Sequence, residues 1–174
     1  MNDNDNDNPI ENTTVLVADN DGDMRRLVAR LLKSLGVGRV LHAPDGETAK
    51  KHLLEPETDR PDVVITELDM EPMDGAQLLA WIRRDDESPN PLIPVILLTG
   101  QSDPKFIFLM RDLGVNEVLA KPITASNLER RLRAALSRPR RFIDAINYCG
   151  PDRRRRDLPH GGRDQRGRRV PADR

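Results

Sequence analysis

The chain has 174 residues, 37% hydrophobic and 33% charged, with a formal net charge of −1; this supports one core of ordinary size with extensions and leaves two full domains cramped. No apolar run approaches the roughly 18 residues of a membrane span and the N-terminus lacks the character of a signal peptide, so a cytoplasmic protein is expected. The single cysteine, Cys149, excludes an internal disulfide and every multi-cysteine zinc pattern.

The small net charge hides an asymmetry. Residues 138–174 carry 12 Arg against 5 Asp, which leaves 16 basic and 24 acidic groups in residues 1–137. An acidic body with a basic tail implies that different surfaces face different partners, or each other.

Taken in chain order, Asn2 to Asn8 alternates Asn and Asp with no apolar residue. Such a stretch cannot offset its own ordering entropy, so residues 1–12 are expected to be disordered. A calcium-binding loop counted from Asp3 needs glutamate where Thr14 stands, and one counted from Asp19 needs it where Arg30 stands, so neither is assigned.

From Thr13 onward short apolar runs alternate with helical periodicity, the pattern of a βαβ succession. Strands are expected at Thr14–Ala18, Arg39–His42, Val63–Thr66, Pro94–Leu98 and Glu117–Ala120. In the first helix Met24, Leu27, Val28, Leu31, Leu32 and Leu35 share one face and Gly36 ends it. A second helix is expected from about Gly46 to Leu54 and a third from about Gly75 to Arg84. The fourth starts near Asp103 with Pro104 in its first turn, where a missing N–H costs little. The fifth, Ser126–Ser137, buries Leu128, Leu132 and Leu136 and turns Arg130, Arg131 and Arg133 to other faces.

Five strands each followed by a helix predict an α/β fold, a doubly wound five-stranded parallel sheet, and such sheets bind ligands beyond the C-terminal ends of their strands. The residues there are Asp19, Asn20, Glu67, Asp69, Thr99 and Lys121, a polar set closing four strands. The plain structural alternative is that Asp19, Asn20 and Asp21 only cap the first helix.

Residues 13–138 resemble the receiver domain of two-component response regulators. Val15-Leu16-Val17-Ala18-Asp19-Asn20 stands where receivers carry a strand ending in an acidic pair, and Met24-Arg25-Arg26-Leu27-Val28 resembles the helix that follows. Val63-Val64-Ile65-Thr66-Glu67 stands where the third strand ends in the phosphorylated aspartate. Met70-Glu71-Pro72-Met73-Asp74-Gly75 resembles the turn after it. Pro94-Val95-Ile96-Leu97-Leu98-Thr99 matches the strand ending in the switch hydroxyl, and Lys121-Pro122 matches the family's Lys-Pro pair.

The resemblance implies the flavodoxin-like (βα)5 fold with strand order 2-1-3-4-5. It also implies a site in which Mg²⁺ is held by the acidic pair, the acceptor carboxylate and the Asp69 carbonyl, while lysine and hydroxyl hold phosphoryl oxygens. Three positions depart from that pattern. Glu67 replaces the acceptor, pushing a carboxylate one methylene outward to where it is expected to reach Lys121 and Thr99 and to imitate part of the phosphorylated state. Asn20 replaces one acidic ligand, so Mg²⁺ binding at Asp19, Asn20, Glu67 and Asp69 is expected to be weak; Asp21 is expected to cap the helix rather than replace that ligand. Val118 stands where the fifth strand carries an aromatic read-out residue, and valine has little reach.

On the fourth helix Phe106, Leu109, Met110 and Leu113 are assigned to the core and Phe108 to the opposite side. Ile107 and Arg111, with Val118, fall on what the resemblance makes the output face. Residues 139–174 lose periodicity. The stretch Phe142, Ile143, Ile146 and Tyr148 is expected to dock or form a short helix, and the Arg153, Arg154, Arg155, Arg156 run with the rest to be a mostly disordered, polyanion-attracting tail.

The expected protein is a signalling module and not an enzyme: an atypical single-domain response regulator in a phosphorelay, with phosphorylation lost or weakened. Its partners would be a histidine kinase, phosphotransferase or other signalling protein. Three alternatives stay open: a receiver phosphorylated at Asp69 or Glu67, a nucleic-acid-binding regulator acting through the arginine tail, and a Mg²⁺-dependent phosphohydrolase. Asn20 and the lack of a general-base histidine near a strand end count against the last.

Overall fold

Parallel strands covered on both faces need apolar side chains at nearly every position, and the three central strands have them: β1 (Thr14–Ala18), β3 (Val63–Glu67) and β4 (Val95–Thr99). Two edge strands, β2 (Arg39–Ala43) and β5 (Glu117–Ala120), complete a parallel sheet in the order β2-β1-β3-β4-β5. The computed structural model describes residues 10–101, 103–137, 142–145 and 148–151.

The two-residue strand period divides the core. Leu16, Ala18, Val64, Val95 and Leu97 face one side, where α2 (Gly46–Leu54), α3 (Gly75–Arg84) and α4 (Pro104–Asp112) supply Leu53, Leu78, Ile82 and Met110. Val15, Val17, Ile65, Ile96 and Leu98 face the other, where α1 (Gly22–Ser34) and α5 (Ala125–Ser137) supply Val28, Leu32, Leu128 and Leu132. A register slip by one residue would exchange the two sets, so the register is tightly specified.

The Asp21 cap and the Gly36 stop act as read from the sequence, and the structure adds further helix signals. Asp21 caps α1 and Asp45 caps α2 through backbone N–H groups, and α3 has a reciprocal capping box between Asp74 and Gln77. After α1, Gly36 takes φ +85° while Val37 N–H donates to the Leu32 carbonyl at 3.1 Å, an αL stop that only glycine adopts without strain. Gly114, at φ 98°, ends α4 in the same way.

Several features differ from expectation, and the first is Ile10, which lies in the stretch expected to be disordered but is fully buried in the core. β2, β3 and β4 each end one residue later than expected and β4 also starts one later, so Glu67 and Thr99 are the last residues of their strands. Leu109 and Leu113 on α4 are exposed, at 56% and 37%, and Met110 is the buried residue of that helix. The α4 side chains on the core are Met110 and the partly buried Phe106, both on the expected face, while the two leucines turn outward. Beyond α5 the stretch expected to dock or form a short helix holds β6 (Phe142–Ala145) and β7 (Tyr148–Pro151), an antiparallel pair, and β7 docks beside α3.

Candidate functional site

The C-terminal ends of β1, β3 and β5 bring Asp19, Glu67 and Lys121 together. The Lys121 ammonium donates a close hydrogen bond to Glu67 Oε2 and lies 3.7 Å from Asp19 Oδ2. The other Glu67 oxygen, Oε1, accepts from Leu68 N–H at 2.7 Å. Burial works against the Lys121 charge, but the hydrogen bond from Glu67 and the nearby Glu67 and Asp19 charges outweigh it and hold the lysine above its ordinary pKa.

Asp19 is 1% exposed. Its Oδ1 accepts from Asp21 N–H at 2.8 Å, whereas Oδ2 is buried with no hydrogen-bond partner. Burial pushes this carboxyl above the usual range, only partly offset by Asp21 N–H and Lys121. A carboxyl whose folded pKa is raised favours the fold when protonated and loses that contribution as pH rises through its folded value. Asp19→Asn, which removes the buried charge while keeping the shape, is therefore expected to stabilise the protein at pH 7. Urea denaturation at several pH values should show the gain shrinking toward acid; a loss of stability at pH 7 would overturn it.

The turn after β3 is pressed against the pocket. Gly75 N–H donates to the Leu68 carbonyl at 2.9 Å, and a Cβ at position 75 would fall 2.1 Å from the Glu67 carbonyl oxygen, so only glycine fits. Gly46 N–H reaches the Met73 carbonyl at 3.0 Å, which ties α2 to the same turn. Beside it opens a cleft lined by Asn20, Asp69, Met70, Glu71, Pro72, Asp74 and Gln77. The Glu71–Pro72 and Lys121–Pro122 peptide bonds are both cis.

Of the residues expected here, Asp19, Glu67 and Lys121 meet, while Asn20 and Asp69 are exposed at the cleft. Thr99 is the exception. Its hydroxyl is buried and accepts from Gln101 N–H at 2.9 Å instead of meeting Glu67. Asp21 serves as the α1 cap, accepting from Asp23 N–H at 2.8 Å and Met24 N–H at 3.2 Å, and these bonds lower its pKa.

On the α4–β5 side Ile107, Arg111 and Val118 are half-buried, and the Arg111 guanidinium lies 5.9 Å from the ring centroid of exposed Phe108. Arg153 to Arg156 lie outside the described residues.

Two residues escaped sequence reasoning. Arg25 donates to the Asp19 carbonyl, bracing the loop behind the pocket. Arg131, expected on a solvent face, pairs at 2.7 Å with the buried Glu117 of β5. The i, i+4 and i, i+3 rules see partners only within one helix, so a helix-to-strand pair 14 positions away left no local signal.

A sheet ordered 2-1-3-4-5 whose strand ends gather acids and a lysine is the arrangement of a receiver domain. The chain belongs to the response regulator receiver domain family, which it matches over residues 15–133. It is 34% identical to the chemotaxis protein CheY-3 of Vibrio cholerae over 70% of this chain and 90% of that protein. Among solved structures, the receiver domain protein from Clostridium thermocellum is 29% identical with TM-score 0.63, covering 72% of this chain and 95% of the other. The PA1611 receiver domain from Pseudomonas aeruginosa, whose structure has a magnesium ion coordinated in its active-site cleft, superposes at TM-score 0.63. It is 23% identical over 72% of this chain and 98% of that one. None of the described helices here is long and apolar enough to cross a membrane.

A hard divalent cation finds a partial fit in this chain. Asp19 Oδ2, which accepts no hydrogen bond, is the kind of oxygen ligand such an ion takes. Both Glu67 oxygens, however, are already engaged, and no group of three His, Cys, Asp or Glu side chains among the described residues could hold a metal ion.

Proposed function

We propose that this receiver works in two-component signalling by docking to a protein partner such as a histidine kinase or phosphotransferase, with its pocket held in a partly active-like arrangement without phosphorylation. The observation that carries this reading is the Lys121–Glu67 ion pair, closed across β3 and β5. By resemblance, Glu67 takes the acceptor position, and its longer side chain places a carboxylate oxygen where lysine would otherwise meet a phosphoryl oxygen.

The imitation is half complete. A phosphoryl group offers three oxygens and about −1.5 to −2 charge, whereas Glu67 has two oxygens and gives neither to Thr99. The lysine half of the switch is satisfied and the hydroxyl half is not. Mg²⁺ bound by Asp19, Glu67 and the Asp69 carbonyl would supply charge neutralisation at the phosphoryl oxygens, and its binding is weak because Asn20 contributes no carboxylate.

Incubation with acetyl phosphate and Mg²⁺ tests the reading. Intact-mass spectrometry should show essentially unmodified protein, since both acceptor oxygens are tied down. A stoichiometric phosphoryl adduct mapped to Glu67 or to the exposed Asp69 would instead make this a phosphorylated receiver.

A further inference from the structure

The chain after α5 crosses the molecule. α5 packs on the β-sheet face covered by α1, yet β7, beginning 11 residues after the end of α5, lies beside α3 on the opposite face. Gly150 and Pro151, at the end of β7, are buried. We infer that the β6–β7 pair is an intramolecular strap whose docking on α3 controls the order of the β3–α3 turn that frames the pocket.

The coupling runs through α3, which is anchored at both ends. At its start, Gly75 is bonded to the Leu68 carbonyl and seated against that of Glu67. At its end, buried Arg83 bonds the carbonyls of Pro91, Ile93 and Gly114. A ten-residue helix held in this way moves as one body, so support lost along its side is felt at its first turn. β7 gives such support from a segment outside residues 15–133, the span of the family match. The inference goes beyond the pocket reading above and stands on α3 alone, whatever Glu67 does.

Pro151→Asp in the full chain tests it, because a charge at a buried site should undock β7. Amide exchange is expected to quicken about tenfold across residues 75–84 and 68–73, while α1 and the buried turns of α5 keep their rates. Emission of Trp81, the sole tryptophan, on α3 and 7% exposed, should shift to the red. Pro151→Ala, which keeps the site apolar, should produce a smaller change in the same segments and guards against a variant that fails to fold. Unchanged exchange in both variants would overturn the strap. Equal acceleration of α1 and α5 would overturn it too, since that marks general loss of stability rather than local control.

Discussion

The double variant Glu67→Asp with Asn20→Asp is expected to bind Mg²⁺ roughly tenfold more tightly than the natural chain, about 1.4 kcal/mol, and to accept a phosphoryl group from acetyl phosphate. Shortening the side chain at position 67 withdraws the carboxylate from Lys121 and opens the space its Oε2 now fills. The freed oxygen can then attack phosphorus as the bond to acetate breaks, acetate leaving with the bonding electron pair. Asn20 is exposed at the cleft, so aspartate there adds a metal carboxylate without repacking the core. The two positions would share one ion, and their effects should be non-additive, with either single change giving much less. Mn²⁺ or Mg²⁺ titration with intact-mass spectrometry reads both outcomes. A double variant that stays inert would mean that the pocket's geometry, and not these two side chains, blocks the chemistry.

Arg83→Met is expected to cost about 3 kcal/mol, the upper end of the range for leaving buried acceptors without a donor. The guanidinium is 3% exposed. Its Nε and Nη2 donate to the Gly114 carbonyl at 3.2 and 3.1 Å, and Nη1 donates to those of Pro91 and Ile93 at 2.7 and 2.9 Å. Nη2 also reaches Asn116 Oδ1 at 2.9 Å, an atom that accepts from Val95 N–H as well. One side chain thus pins α3 to the turns that enter β4 and β5. Methionine fills much of the volume but leaves these acceptors buried without donors. Lysine is no substitute, since an ammonium cannot reproduce the planar fork. Thermal unfolding should fall by roughly 10 °C for a chain of this size. A shift under about 1 kcal/mol in urea would show that water replaces the guanidinium with little loss.

The fold was legible because its signals are local and repeated. Apolar pairs alternating across Val15 to Ala18, Val63 to Thr66 and Val95 to Leu98 could only be strands covered on both faces. Gly36 and Asp21 marked a helix end and a helix start through backbone geometry that depends on a few neighbouring residues. The pocket was legible for the same reason: Asp19, Glu67 and Lys121 each follow an apolar run, and parallel strands must carry their ends to one edge of the sheet.

Interactions between elements distant in sequence were left for the tertiary structure to decide. Side-chain length put Glu67 within reach of both Lys121 and Thr99, but the hydroxyl accepts from Gln101 N–H two residues on, and only the lysine contact, 54 positions apart, formed. The rotation of α4 that exposes Leu109 and Leu113 was set by the sheet beneath it, because a nine-residue helix with apolar residues on several sides has no single preferred face. Arg83 carried no local signal, since its partners are mostly backbone carbonyls, which every sequence possesses and none advertises, with Asn116 33 positions away. The passage of the chain from α5 across to α3 likewise depended on where two remote surfaces met, which a periodicity confined to single elements cannot encode.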